Sequence, residues 1–273
     1  MSTVQRDFTM TPYQVADDTF VIPWVLAAPP VGLFPMNSLV IRGKEPVLVD
    51  TGSPADREGW LNNVSSVVDL DDVRWIFLSH EDRDHSGNLM AALDACPNAT
   101  LLTTWYAVGR MADEWDTPLD RCRFMNDGDV LDIGDRRIVA IRPPVFDSPT
   151  TRALFDERTG VFWSVDTFAT NMREPLCDSA DLAEDAFREG QLLGGRLIAA
   201  LHPWLDEDKF CAHVQKVQDL PIKVITGGHT PAIRGPRIEE AFGLVRQLPV
   251  IKPWREFTQR TLELWMAAIS SLK

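Results

Sequence analysis

A short apolar run that ends in a cluster of ionisable side chains constrains the fold of this chain most strongly. Residues 73–78 read VRWIFL, which is typical of a strand covered on both faces, and the polar segment 80–85 follows after a single serine. In α/β proteins, functional side chains gather in loops at the carboxyl edge of a rigid sheet. We therefore predict that residues 80–85 form a loop at the carboxyl end of a buried strand.

The rest of the chain alternates between strand and helix patterns. Strands are predicted at 37–42, 47–49, 100–103, 130–133, 137–141, 160–165 and 222–226. Helices are predicted at 55–68, 88–96, 107–115, 181–189 and 206–219. Two hairpin-plus-helix halves, with strands inside and helices outside, predict an α/β fold in the form of a four-layer αββα sandwich.

We expect residues 1–273 to form a single domain, because no low-complexity tract or linker divides the chain. Its core should span about residues 20–240, and an amphipathic helix should close it at about 254–272. The proline-rich segment 22–35 is predicted to be an irregular flap over a site.

Charge and hydropathy exclude several classes of protein. The formal net charge is −13, from 27 basic and 40 acidic residues, which disfavours binding to nucleic acid or to an anionic membrane. No run approaches the roughly 20 apolar residues of a membrane span, and the N-terminus MSTVQRDFTM lacks a signal-peptide pattern. We therefore expect a cytoplasmic protein whose four scattered cysteines are reduced.

The segment 80–85 carries the chemistry of a metal site. His80, Asp82, Asp84 and His85 place four potential ligands within six residues. In a loop, the side chains at alternate positions converge on one side, and His85 can turn towards a neighbouring position, so that two adjacent cations could be held. Imidazole and carboxylate donors without a thiolate suit iron, manganese or zinc.

This segment resembles a known signature. The string HEDRDHSG is similar to the HxHxDH motif of the metallo-β-lactamase superfamily, and more closely to the HxExDHxG variant of flavodiiron proteins and related oxygen-binding diiron proteins. Those families have an acid at the position of Asp82, where hydrolases have histidine. The resemblance covers about residues 20–240 and continues through MNSLVIRGKEPVLVDTG, FWSVDTFA, LHPWLDEDKF and TGGHTPAIRG.

The resemblance implies a metallo-β-lactamase sandwich with seven metal ligands. The first metal position would be held by His80, Asp82, Asp147 and Asp166, and the second by Asp84, His85, Asp166 and His229. The chain departs from the family at Asp147, where a histidine is usual; Asp147 lies 19 residues before Asp166, at the offset of the family's ligand. This oxygen-rich set favours two iron ions, with manganese or zinc as alternatives.

The function that the resemblance implies is that of a non-haem diiron protein that binds or reduces O2 or NO, with no catalytic residue separate from the ligands. We expect no flavodoxin domain in this chain, so that a separate flavoprotein or other donor, or a facing subunit of a homodimer, supplies electrons, or the protein senses oxygen. One alternative is a metal-dependent hydrolase of an ester, lactone, thioester or phosphodiester. Another is a binding protein with a degenerate site. A diiron oxidoreductase is favoured over a hydrolase because Asp82 and Asp147 replace imidazoles with carboxylates.

Overall fold

Two large β-sheets form the centre of the computed structural model, which describes residues 8–29 and 31–271. The strands are β1 (Phe8–Thr9), β2 (Tyr13–Ala16), β3 (Thr19–Ile22), β4 (Trp24–Ala28), β5 (Gly32–Pro35), β6 (Ser38–Ile41), β7 (Val47–Val49), β8 (Trp75–Phe77), β9 (Thr100–Thr103), β10 (Cys122–Phe124), β11 (Val130–Asp132), β12 (Arg137–Ile141), β13 (Ala153–Asp156), β14 (Val161–Trp163), β15 (Val224–Gly227) and β16 (Thr230–Arg234). The α-helices are α1 (Arg57–Ser65), α2 (Arg83–Ser86), α3 (Leu89–Ala95), α4 (Trp105–Met111), α5 (Glu184–Ile198), α6 (Glu207–Gln218), α7 (Pro236–Val245) and α8 (Gln259–Ser271).

The order of the strands differs between the sheets. The first sheet has the order β10-β9-β8-β7-β6-β3-β2, and its strands from β10 to β7 run parallel. The second sheet has the order β11-β12-β13-β14-β15-β16, and only β14 and β15 are parallel in it. Because β7, β8 and β9 are parallel, the loops that follow them lie at one edge of the first sheet.

Alternate residues of the first sheet belong to two different cores, as the two-residue period of a strand requires. One core joins both sheets and also contains residues of α5, α6 and α7. The other lies under α1, α3 and α4. In the first core are Leu39, Ile41, Val47, Val49, Phe77 and Leu102, and in the second are Val40, Leu48, Ile76 and Leu101. The predicted four-layer αββα sandwich is confirmed.

Most predicted elements are present, with shifted ends. The strand at 100–103 is β9 as predicted, α4 begins two residues before the predicted helix at 107–115, and α5 runs nine residues past the predicted end at 189. The predicted C-terminal helix is α8, which begins five residues late, and its predicted end at 272 lies outside the described residues. None of the helices that the structure describes is long and apolar enough to cross a lipid bilayer.

The predicted irregular flap is wrong in its conformation. Strands β4 and β5 pair in an antiparallel hairpin, and β1 adds a third strand to it. Prolines do not prevent this, because Pro23 and Pro29 lie outside the strands and Pro35 is the last residue of β5. The predicted loop at 80–85 is also partly wrong, because its second half belongs to the one-turn helix α2.

Candidate metal centre

The seven predicted ligands come from four separate connections that meet at one place. Four of them follow β8 directly: His80 and Asp82 in the loop, and Asp84 and His85 on α2. The other three lie between β12 and β13, after β14, and between β15 and β16. They are Asp147, Asp166 and His229.

The first group of potential ligand atoms surrounds His80. Its Nε2 atom lies 3.7 Å from Asp82 Oδ2, 3.9 Å from Asp147 Oδ1 and 3.6 Å from Asp166 Oδ2. Ligand atoms of His80, Asp82 and Asp147 all lie within 4.8 Å of one another, a spacing that a single ion could span. The aspartate that replaces the usual histidine therefore faces the same point as His80.

The second group surrounds Asp84. Its Oδ2 atom lies 3.5 Å from His85 Nε2 and 3.2 Å from His229 Nε2. The same two nitrogens lie 3.1 Å and 3.3 Å from Asp166 Oδ1. Because Oδ2 of Asp166 faces the first group and Oδ1 faces the second, this carboxylate has the position of a bridge between two ions.

A buried carboxylate beneath the site orients His85. Asp50 Oδ2 accepts a hydrogen bond from His85 Nδ1 at 2.9 Å and another from Trp163 Nε1 at 3.1 Å. Ser79 donates to the same carboxylate through its backbone N–H at 2.7 Å and its hydroxyl at 2.9 Å. With the proton of His85 held on Nδ1, Nε2 is the nitrogen available to a metal.

A backbone carbonyl orients His229 in the same manner. His229 Nδ1 donates to the Pro35 carbonyl at 2.8 Å, which directs Nε2 at the cluster. Pro35 ends the β4–β5 hairpin, and Asn37 ties the next residues to the β15–β16 turn through hydrogen bonds to the carbonyls of Gly227 and Thr230. The segment predicted as a flap thus contributes an acceptor to the site.

Two residues near the site have a positive φ, a backbone conformation that residues other than glycine rarely adopt. Asp50 and Val165, which precedes Asp166, have φ of 60° and 58°. Such conformations cost on the order of 1–3 kcal/mol each and persist where the surrounding structure enforces them. Gly228 has no room for a side chain, since a Cβ there would lie 2.6 Å from His85 Cε1.

The electrostatics of the cluster favour positive charge. Burial disfavours the charged form of His229, but Asp166 and Asp84 outweigh it and raise the pKa of His229 to about 10. Burial also opposes charge on His85, yet its neighbouring carboxylates hold its pKa well above the ordinary value. Burial would raise the pKa of Asp166, but His80 and His85 hold it well below its usual range.

Burial and hydrogen bonding at Asp166 fit a bound cation. Both of its carboxylate oxygens are buried, and neither has a hydrogen-bond partner of good geometry among the described residues, although the imidazole nitrogens are close. A buried carboxylate without hydrogen bonds is costly unless a cation compensates it. The donors around it are carboxylates and imidazoles, which suit iron, manganese or zinc.

Exposure differs between the two groups. Side chains of Asp82 and Asp147 are 46% and 40% exposed, whereas those of His80 and Asp166 are 1% and 3% exposed. Asp82 and Asp84 also line an open cleft of about 400 Å³. The first group is therefore the more exposed of the two.

Three contributors to the site were missed at the level of sequence. Ser79 and Trp163 hold Asp50, and the Pro35 carbonyl holds His229. The serine follows the predicted strand 73–78 and the tryptophan lies within the predicted strand 160–165, which is a weak signal, whereas a backbone carbonyl leaves no signal in the sequence. His202 is buried, and its Nδ1 atom hydrogen-bonds to the Leu248 carbonyl at 2.7 Å.

An αββα sandwich with a cluster of histidines and aspartates at the strand ends defines the class of metallo-β-lactamase-like proteins. Residues 35–229 match the family described as ODP family beta lactamase, and the chain therefore belongs to that family.

Relatives and structural neighbours are flavodiiron proteins and flavorubredoxins. The chain is 28% identical to diflavin flavoprotein A 2 of Nostoc sp. over 72% of its own length and 33% of that protein. It is 26% identical to the anaerobic nitric oxide reductase flavorubredoxin of Vibrio vulnificus over 56% of its own length and 32% of that protein. The chain thus spans about a third of the length of the curated relatives that it matches.

The fold of this chain is similar to the folds of solved structures. The flavodiiron protein from Giardia intestinalis superposes with a TM-score of 0.75 at 16% identity, over 88% of this chain and 59% of that one. The rubredoxin oxygen:oxidoreductase from Desulfovibrio gigas has a TM-score of 0.75 at 17% identity, over 89% of this chain and 63% of that one. The predicted resemblance to the diiron domain of flavodiiron proteins is confirmed.

Proposed function

We propose that this protein is a non-haem diiron protein that binds or reduces O2 or NO. His80, Asp82, Asp147 and Asp166 would hold the first iron, and Asp84, His85, Asp166 and His229 the second. The observation that carries the proposal is Asp166, whose two buried oxygens each face a separate group of potential ligands. The names of the relatives, flavodiiron protein and nitric oxide reductase flavorubredoxin, support iron and a small diatomic ligand.

The charge of the site supports two ions. The set contains four aspartates and three histidines, so two divalent cations would balance the carboxylates if the imidazoles are neutral. Carboxylates stabilise the higher oxidation state of a metal and suit iron or manganese better than zinc. The three carboxylates proposed for the first position make it the harder of the two.

When bound, a pair of iron ions would supply the electrons that O2 or NO accepts. The residues of the chain hold and orient this pair. Asp50 and the Pro35 carbonyl keep protons on the Nδ1 atoms of His85 and His229, so that both Nε2 atoms stay directed inwards. The exposed Asp82 and Asp147 place the solvent-facing side of the centre at the first position, where a small molecule can enter.

The source of electrons is part of the proposal. A separate flavoprotein or another redox partner would reduce the centre, and the names of the relatives, diflavin flavoprotein and flavorubredoxin, support a flavin as the source of electrons. If no donor sustains turnover, the same centre would act as an oxygen sensor.

Metal content and oxygen reactivity test the proposal together. Protein prepared without oxygen should contain two irons per chain, and its reduced form should change its visible spectrum on exposure to O2 or NO. Asp166→Ala should abolish both results, whereas Asp94→Ala, which removes an exposed aspartate of α3, should alter neither.

Hydrolase activity is the outcome that would contradict the proposal. A zinc-loaded protein that turns over an ester or lactone efficiently, together with a ferrous form that is indifferent to O2 and NO, would show that the centre activates water instead.

A further inference from the structure

Glu81 stands between two proposed ligands in the sequence, but its side chain binds a different part of the chain. Its carboxylate is 8% exposed and forms an ion pair with Arg110. Oε1 accepts a hydrogen bond from Ser148 Oγ at 2.9 Å, and Oε2 accepts one from Thr150 Oγ1. Both oxygens are therefore occupied by partners from outside the metal centre.

The two hydroxyl partners of Glu81 belong to the turn that follows Asp147. Ser148 and Thr150 are buried, and their hydroxyl oxygens lie 2.8 Å apart. The backbone N–H of Thr151 closes the turn on the Ser148 carbonyl at 3.2 Å. We call Glu81, Ser148, Thr150 and Arg110 the Glu81 latch.

The latch is one of several attachments that hold the segment around Asp147. On the other side of Asp147, Thr167 Oγ1 donates to the Val145 carbonyl at 2.8 Å and accepts from the Val145 N–H at 3.1 Å. Residues 142–152 contain neither helix nor strand, and one backbone bond, from Arg152 N–H to the Ser79 carbonyl at 2.9 Å, ties them to the segment before His80. Side-chain contacts such as those of Thr167 and Glu81 supply further attachments. Asp147 itself is 40% exposed and lies 3.9 Å from His80.

We propose that Glu81 is a positioning residue for the first metal position. By holding the Ser148–Thr150 turn against the His80–Asp82 segment, it fixes Asp147 opposite His80. This inference rests on the proposed function, since it takes Asp147 as a ligand. Arg110 balances the charge of Glu81, so that the latch adds no uncompensated negative charge beside the four carboxylates of the centre.

Two substitutions of Glu81 should have different effects on the hydrogen bonds of the latch. Glu81→Ala removes both acceptor oxygens, so the buried hydroxyls of Ser148 and Thr150 each lose the acceptor to which they donate. Glu81→Gln preserves the contacts: its oxygen can accept from Ser148, its amide can donate to Thr150 Oγ1, and Thr150 can turn its own proton to Ser148. The conservative variant should therefore rescue what alanine loses.

Metal titration tests the latch one position at a time. In the His229→Ala background, where only the first position is complete, Glu81→Ala should weaken binding of ferrous iron by about 10- to 100-fold, and Glu81→Gln should not. In the Asp147→Ala background, where only the second position is complete, Glu81→Ala should leave the affinity unchanged. Glu157→Ala is the matched control, since it removes another arginine-paired glutamate, from the turn after β13.

Thr150→Val removes a hydroxyl that donates to Glu81 and leaves the glutamate in place. It should weaken the first position less than Glu81→Ala does, because the Ser148 hydrogen bond remains. The double variant should be no weaker than Glu81→Ala alone, because Glu81→Ala already removes the bond between Glu81 and Thr150. Equal loss at both positions, or unchanged affinity at the first position in Glu81→Ala, overturns the inference.

Amide hydrogen exchange in the metal-free protein tests the Glu81 latch without depending on metal binding. Exchange of the backbone amides of Ser148 and of residues 150–152 should become faster in Glu81→Ala and stay slow in Glu81→Gln. If the wild-type protein binds no iron, the proposed function fails and the positioning role for a metal falls with it, whereas unchanged exchange in Glu81→Ala overturns the latch alone.

Discussion

Asp50→Asn should cost the protein its second metal while leaving the chain folded. Ser79 N–H donates to Asp50 Oδ1 at 2.7 Å and Trp163 Nε1 donates to Oδ2 at 3.1 Å, but an asparagine has only one oxygen for these two donors. The shorter bond keeps that oxygen at Ser79, so the amide nitrogen would replace Oδ2 and leave the indole N–H without an acceptor, at a cost of about 1–3 kcal/mol of folding stability. That nitrogen would face His85 Nδ1, now 2.9 Å from the carboxylate, and would donate to it. His85 would then carry its proton on Nε2, the atom that faces Asp166, and a protonated nitrogen cannot bind a metal.

The expected loss follows from the role of Asp50 as the partner of a ligand. Removing such a partner costs about 10- to 100-fold in metal affinity, or about 1.4–2.7 kcal/mol. Asp50→Ala should be more severe, because a broken buried ion pair costs about 3–5 kcal/mol of folding stability. The two variants therefore separate loss of metal from loss of fold.

Anaerobic metal titration and the ¹⁵N chemical shifts of the histidine rings provide the assay. Asp156→Asn serves as the control, since Asp156 is another fully buried aspartate, paired with Arg136 at 3.3 Å and absent from the cluster. Wild-type affinity at both positions in Asp50→Asn, with His85 still protonated on Nδ1, would refute the reasoning about the tautomer.

Three further predictions concern the ligands and their packing. His229→Ala should remove the second metal and leave the melting temperature of the metal-free protein nearly unchanged, and unaltered stoichiometry would reject the assignment. Asp147→His should preserve or raise affinity at the first position whereas Asp147→Ala should lower it there alone, so equal wild-type binding in both would make Asp147 a bystander. Gly228→Ala should displace His85, because the new Cβ would lie 2.6 Å from His85 Cε1; metal titration should show a weakened second position, and full occupancy would contradict the packing argument.

The sheet layers could be predicted because their signal is local. Strands β6 and β7 and the strand before His80 are short apolar runs, and their alternate residues lie in two different cores. That alternation depends only on the two-residue period of a strand, so it is visible in the sequence. The β4–β5 hairpin was predicted wrongly because its prolines suggested irregular backbone, whereas the strand partners that stabilise it are a long-range property.

The sequence by itself determined the motif from His80 to His85, since four potential ligands within six residues stay close in any compact fold. Resemblance to a family added Asp147, Asp166 and His229, which the structure brings to the same place. Only the tertiary structure decided that the Pro35 carbonyl orients His229 and that Glu81 binds the turn after Asp147. Glu81 lies 67 residues from Ser148, and His229 lies 194 from Pro35. Contacts at such separations form because the packed sheets bring the connecting loops together, and no local pattern of residues records them.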